Sequence, residues 1–212
     1  MKIVPAILTN ELKDLEKKIR QVESFTDIAQ IDIMDGKFVP SKSITAKDLS
    51  KIKTNLFLEA HLMVDYPSCE IIPFKEAGVK RFIFHFEAKE NPEEVIEKIK
   101  KENMEVGLAI NPETEIEFVE KFFERIELLL IMAVNPGFYG SKFIPQVLEK
   151  VRYLKKIRKR KFLIGLDGGI KINNIREIKE AGVELACVGS EIFCKGEPRE
   201  NFFALLEKIK EI

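Results

Sequence analysis

The sequence predicts an α/β fold, a single-domain (β/α)8 TIM barrel covering residues 1–212, and three observations predict it. Eight short apolar runs recur along the chain, each followed by a charged stretch, most of them of helical period. The runs are nearly continuous rather than alternating, as expected of parallel strands covered on both faces. One helix-to-strand device is spelled twice, Glu76-Ala-Gly-Val79 and Glu180-Ala-Gly-Val183, each placing a Gly just past a helical stretch, where a left-handed residue closes the helix. Eight repeated βα units in 212 residues make a compact barrel. An open doubly wound sheet would carry a Gly-rich turn after its first strand, where this chain has Pro5-Ala-Ile-Leu-Thr-Asn10.

In chain order the expected strands are Ile3–Leu8, Ile28–Met34, Leu56–Met63, Arg81–Phe86, Glu105–Ile110, Leu128–Val134, Phe162–Leu166 and Leu185–Val188. Between them, Leu12, Leu15, Ile19 and Val22 recur every three or four residues and predict an amphipathic helix. Asn91-Pro-Glu-Glu94 offers an N-cap with Pro at the first helical position. Thr114 with Glu117 repeats the capping-box spacing and predicts another helix start. Val147, Leu148, Val151, Leu154 and Ile157 form a further stripe, and Phe202, Leu205, Leu206 and Ile209 close the chain.

Composition narrows the function. Lys+Arg and Asp+Glu are both 35, so the basic excess of a nucleic-acid binder is missing. No apolar stretch is long enough to span a membrane, and the amino terminus lacks the pattern of a signal peptide. The cysteines, Cys69, Cys187 and Cys194, are odd in number and form no Cys-x-x-Cys, which predicts free thiols in a reducing compartment, the cytoplasm.

Barrel active sites form at the carboxyl ends of the strands. The polar residues expected there are Gln30, Asp32, Asp35, His61, His85, Glu87, Asn135, Asp167 and Ser190. Gln30, Asp32 and Met34 share one strand face, and Ile31 and Ile33 take the face toward the helices. An inward Asp32 is costly without a metal, a cation or a proton-transfer role. A lone His is usually structural; Asp32 and Asp167 are the partners that would make His61 a ligand, whereas His85 reads as a supporting residue. Asn135-Pro-Gly-Phe-Tyr-Gly140, Asp167-Gly-Gly169 and Val188-Gly-Ser190 end three consecutive strands. Turns of this kind present backbone N–H groups to a phosphate. Met34, Met63 and Met132 sit at strand ends and form either core filling or an apolar lid on a planar intermediate.

These residues resemble the ribulose-phosphate 3-epimerase family. The likeness is carried by Ile31-Asp-Ile-Met-Asp-Gly36 with Phe38-Val-Pro40, His61-Leu-Met63, His85-Phe-Glu-Ala88 and Gly107 to Asn111-Pro112. It continues through Leu130 to Phe138, Phe143-Ile-Pro145, Asp167-Gly-Gly-Ile170, Asn174-Ile175 and Gly189-Ser190 to Ile192-Phe193, nearly the whole chain in order. The resemblance implies a metal-dependent enzyme that interconverts ribulose 5-phosphate and xylulose 5-phosphate, is cytoplasmic and forms a homo-oligomer. It implies that Asp32 and Asp167 are the acid/base carboxylates and, with His61, ligands of one divalent cation: zinc, manganese, iron, cobalt or magnesium. Met34, Met63 and Met132 then belong to the methionine cluster, and Gly137, Phe138, Tyr139, Gly140, Gly168, Gly169, Gly189 and Ser190 to the phosphate end. Gln30 stands where the family has a His, the fourth ligand, and Ala6 where it has a substrate-contacting Ser. Lys37, Tyr139 and Gly165 replace the usual His, Gly and Glu. These departures leave two alternatives, an epimerase for another ketose phosphate such as a ketohexose 6-phosphate, and a phosphosugar-binding paralogue with weakened catalysis. A decarboxylase or aldolase would want an Asp-x-Lys pairing near the third strand, which Glu59-Ala60-His61 does not supply.

Overall fold

In the computed structural model, which describes residues 1–137 and 142–211, eight parallel strands close into a barrel. They are β1 (Lys2–Ile7), β2 (Ile28–Met34), β3 (Phe57–Met63), β4 (Arg81–His85), β5 (Glu105–Ile110), β6 (Leu128–Met132), β7 (Leu163–Asp167) and β8 (Leu185–Val188), with β8 pairing back onto β1. Each expected strand is present, with ends shifted by at most two residues.

The apolar runs are continuous because each strand buries both faces. Ile31, Ile33, Leu58, Leu62, Phe82 and Phe84 pack outward with the helices into one large core. Val4, Ala6, Ile28, Ile83, Leu128, Leu130, Leu185 and Cys187 form a separate core inside the barrel. Side-chain alternation therefore decides which residues of β2 and β3 face the interior, and it selects Gln30, Asp32 and Met34 on β2 and Glu59, His61 and Met63 on β3.

The helices α1 (Leu12–Glu23), α2 (Ala46–Leu49), α3 (Ile71–Glu76), α4 (Pro92–Lys101), α5 (Leu148–Lys155), α6 (Ile175–Ala181), α7 (Ser190–Phe193) and α8 (Pro198–Lys210) surround the sheet. On α1 the buried positions are Leu15, Ile19 and Val22, the stripe read from the sequence. Asn91 caps α4 as expected, its side-chain oxygen accepting the Glu93 N–H at 2.9 Å. The repeated Gly device also holds: Gly78 and Gly182 follow α3 and α6 with φ of +92° and +118°. One expectation fails. Thr114 and Glu117 start no α-helix; the β5–β6 connection is two 3-10 turns, Ile116–Phe118 and Glu120–Phe122. Thr114 gives its hydroxyl to the Glu87 carboxylate instead of to a helix end, and two short turns suffice to bury Val119 and Phe122 over the barrel.

No helix among the described residues is long and apolar enough to cross a membrane.

Candidate active site

The register of β2 against β3 sets Asp32 beside His61 and Met34 beside Met63. On the far side of the barrel, β7 ends at Asp167, level with Met132 on β6 and Cys187 on β8. Because all these side chains point inward, strands that are distant around the sheet meet at its mouth. His61 Nδ1 lies 3.3 Å from Asp32 Oδ1 and 3.3 Å from Asp167 Oδ2. Asp32 is buried, and His61, His85 and Gln30 are fully enclosed.

A hydrogen-bonded line runs outward from this centre. His61 Nε2 is 2.9 Å from His85 Nε2, and His85 Nδ1 is 3.2 Å from Glu87 Oε2. Glu87 in turn accepts the Asn111 N–H and the Thr114 hydroxyl. The carboxylate fixes the proton of His85 on Nδ1, so its Nε2 is an acceptor and the Nε2–H of His61 must be the donor. That leaves His61 Nδ1 to face the two aspartates. The supporting role expected of His85 is thus given a definite form.

The charges follow from these contacts. Burial pulls the His61 pKa down, but the hydrogen bonds and charges of Asp167 and Asp32 outweigh it and raise it to about 9. Burial lowers the pKa of His85, and the charge of His61 adds to that, so His85 stays neutral. Burial pushes the Asp32 carboxyl above its ordinary range, the charge of Asp167 acting in the same direction. Burial also holds the Cys187 thiol protonated.

Gln30 reaches the same centre. Its Nε2 donates to Asp32 Oδ1 at 2.9 Å and to Asp167 Oδ2 at 2.6 Å, and lies 3.5 Å from His61 Nδ1. Its Oε1 accepts from the Cys187 thiol at 3.1 Å. Sequence reasoning treated Cys187 only as a free thiol; its inward parity with Leu185 on β8 was the available signal.

Above the polar centre lies a pocket at the mouth of the barrel, into which Asp32, His61 and Asp167 face. Its walls include Ala6, Met34, Met63 and Met132 together with Gly137, Gly168, Gly169, Gly189 and Ser190. The three glycine-bearing turns therefore do converge. Gly169 has φ of +64°, and a Cβ there would stand 2.9 Å from the Phe143 backbone, so the turn can pack this closely only as Gly. Phe138, Tyr139 and Gly140 lie outside the described residues. Other candidates fall elsewhere: Asn135 is exposed, and Asp35 accepts the Lys37, Phe38 and Asp65 N–H groups as a loop cap.

Two carboxylates and an imidazole meet at the carboxyl end of a parallel barrel, beneath a glycine-lined pocket, which is where barrel enzymes carry their active sites. The chain belongs to the Ribulose-phosphate 3 epimerase family, whose profile matches residues 2–193. This places it among the epimerases, a class of isomerase. It is 38% identical over 201 residues to the ribulose-phosphate 3-epimerase of Chlamydia trachomatis, covering 91% of this chain and 86% of that one. It is 33% identical over 207 residues to that of Bacillus subtilis, covering 94% and 95%. Among solved structures, KGPDC from Streptococcus mutans in complex with D-R5P superposes with a TM-score of 0.77 over 99% of this chain and 97% of that one, at 12% identity, a likeness of fold.

Proposed function

We propose that the protein interconverts D-ribulose 5-phosphate and D-xylulose 5-phosphate by moving a proton at C3. The observation that carries this reading is the meeting of Asp32 and Asp167, from β2 and β7, three strands apart around the barrel, at one pocket. Epimerisation beside a ketone removes a proton from one face of a carbon and returns one to the other, which needs one ionised and one protonated carboxyl. Burial raises the Asp32 pKa, the direction that lets one member of the pair stand as acid while the other stands as base. The roles exchange with the direction of the reaction. Met34, Met63 and Met132 cover the reacting carbon with apolar surface that excludes water from the enediolate. The turns at Gly137, Gly168–Gly169 and Gly189–Ser190 take the phosphate through backbone N–H groups. The names of the relatives support the pentulose phosphate, and the free thiols and the relative named a cytoplasmic isoform, in rice, support a cytoplasmic setting.

One donor atom each from Asp32, His61 and Asp167 lies within 4.8 Å of the others. With His61 Nε2 committed to His85, Nδ1, once it gives up its proton, and two carboxylate oxygens suit a divalent cation such as zinc, manganese, iron or cobalt. When bound there, such an ion supplies Lewis-acid stabilisation of the enediolate oxygens.

The test is turnover of D-ribulose 5-phosphate in deuterated water. Formation of D-xylulose 5-phosphate carrying deuterium at C3 is the expected result. A protein that binds the phosphosugar without exchange is a paralogue that has lost catalysis, and one that exchanges only a ketohexose 6-phosphate has another substrate; either outcome overturns the reading.

A further inference from the structure

The group at the centre of the donor set is the Gln30 amide nitrogen. It stands 2.9, 2.6 and 3.5 Å from the Asp32, Asp167 and His61 atoms that face the site. Both of its hydrogens are aimed at carboxylate oxygens, so it satisfies lone pairs that a cation would otherwise take. The orientation of the amide is not arbitrary. Turned over, Oε1 would face two carboxylate oxygens, acceptor against acceptors, and the thiol of Cys187 would lose its acceptor.

That anchor comes from β8, two strands away around the barrel. Between them lies β1, whose Ala6 is paired with Gln30. Gln30 and Cys187 therefore act as one arrangement, joined across the barrel interior by the thiol–amide hydrogen bond.

We propose that the Gln30 amide, held by Cys187, stands in the cation's place as a hydrogen-bond donor to Asp32 and Asp167, so that a divalent cation binds this site only in competition with it. The inference rests on Asp32, His61 and Asp167 being the ligands proposed above, and it makes a counterintuitive prediction. Removing a side chain that reaches the metal position tightens metal binding rather than weakening it.

The experiment is calorimetric titration of zinc and of manganese into the wild-type protein, Gln30→Ala, Gln30→His and Cys187→Val. Gln30→Ala is expected to bind zinc at least about tenfold tighter than wild type, since hydrogen bonds to charged groups no longer have to be broken. Cys187→Val is expected to shift affinity in the same direction by about two- to fivefold, the scale of one weak S–H bond. Metal-free Gln30→Ala should melt below metal-free wild type, and metal should close the gap. Zinc binding to Gln30→Ala that is equal to or weaker than wild type makes Gln30 a bystander or a ligand and overturns the inference. An unchanged Cys187→Val removes the anchor from it. If neither ion binds any variant, Gln30→His included, the ligand assignment itself is wrong. Turnover enters none of these measurements, so the outcome is independent of the substrate.

Discussion

Strand β3 buries charge at two levels, and the levels differ in what compensates it. Toward the amino end, Glu59 is fully enclosed and pairs with Arg81, which also holds Glu105 and stacks its guanidinium over Phe57. Two residues further along, His61 meets Asp32 and Asp167. The lower level is neutralised by a guanidinium, a cation that no accessible pH removes. The upper level is compensated by a proton on His61, which can exchange, and by hydrogen bonds from the Gln30 amide. A fixed counter-charge builds a wall, whereas exchangeable ones leave two carboxylates available for chemistry. Burial raises the Glu59 pKa, and the charge and hydrogen bond of Arg81 oppose it.

The largest effect should come from the upper level. Asp32→Asn and Asp167→Asn each keep the side-chain shape and remove the carboxyl proposed as acid or base. Each is expected to lower kcat about 10²- to 10⁴-fold, the usual contribution of general acid–base catalysis, while the protein still folds. Steady-state kinetics with circular dichroism decides this, and near-wild-type turnover in either variant breaks the contrast between the levels.

At the lower level the expected loss is in stability. Arg81→Met strands Glu59 without its cation, and breaking one side of a buried pair costs about 3–5 kcal/mol. Denaturant unfolding should show this, while metal affinity of the folded fraction stays unchanged. A variant of full stability, or one with altered metal affinity, would mean that the two levels are not separate.

Proton and metal should exclude one another at His61. Its folded pKa of about 9 lies above the unfolded value near 6.5, so protonation contributes stability that is complete below about pH 6.5 and is lost as pH rises through 9. Chelator-treated protein is therefore expected to melt progressively lower between those pH values. Over the same range metal affinity should rise by up to about tenfold per pH unit, because Nδ1 must give up its proton to become a ligand. Titration in buffers of differing ionisation enthalpy would count the proton released; release of none would place the ion elsewhere.

How far the sequence carried this contrast depends on the range of each interaction. The eight strands were legible because burial on both faces writes an unbroken apolar run, and the inward parity of Asp32 follows from Ile31 and Ile33 alone. The convergence of Gly137, Gly169 and Gly189 was legible once their strands were known to be neighbours. The link from Gln30 to Cys187 was not, since it joins β2 to β8 across β1 and 157 positions of sequence. The β5–β6 connection misled for the same reason: Thr114 spends its hydroxyl on Glu87, 27 positions earlier in the chain, and the local capping pattern with Glu117 carries no sign of that.

The smallest effect concerns the outer end of the line through His85. Glu87 touches neither pocket nor ligand set, yet it fixes which nitrogen of His85 carries the proton, and through it which nitrogen of His61 is free. Hydrogen bonds from His85 and Thr114 and from the Asn111 N–H hold its carboxyl below the usual range, although burial opposes them, so it is an anion at neutral pH. Glu87→Gln keeps the shape and can still accept from His85 through its amide oxygen, but without the charge. The grip on the tautomer weakens rather than disappears. Metal affinity should then fall by about tenfold, the lower end of what outer hydrogen-bond partners of ligating histidines contribute. Glu87→Ala, which frees His85 to place its proton on either nitrogen, should cost more. Nitrogen chemical shifts of labelled His61 and His85 would report the tautomers directly. Unchanged shifts in both variants would show that packing against Phe38, whose ring lies 4.9 Å from that of His85, orients the imidazole without help from the carboxylate.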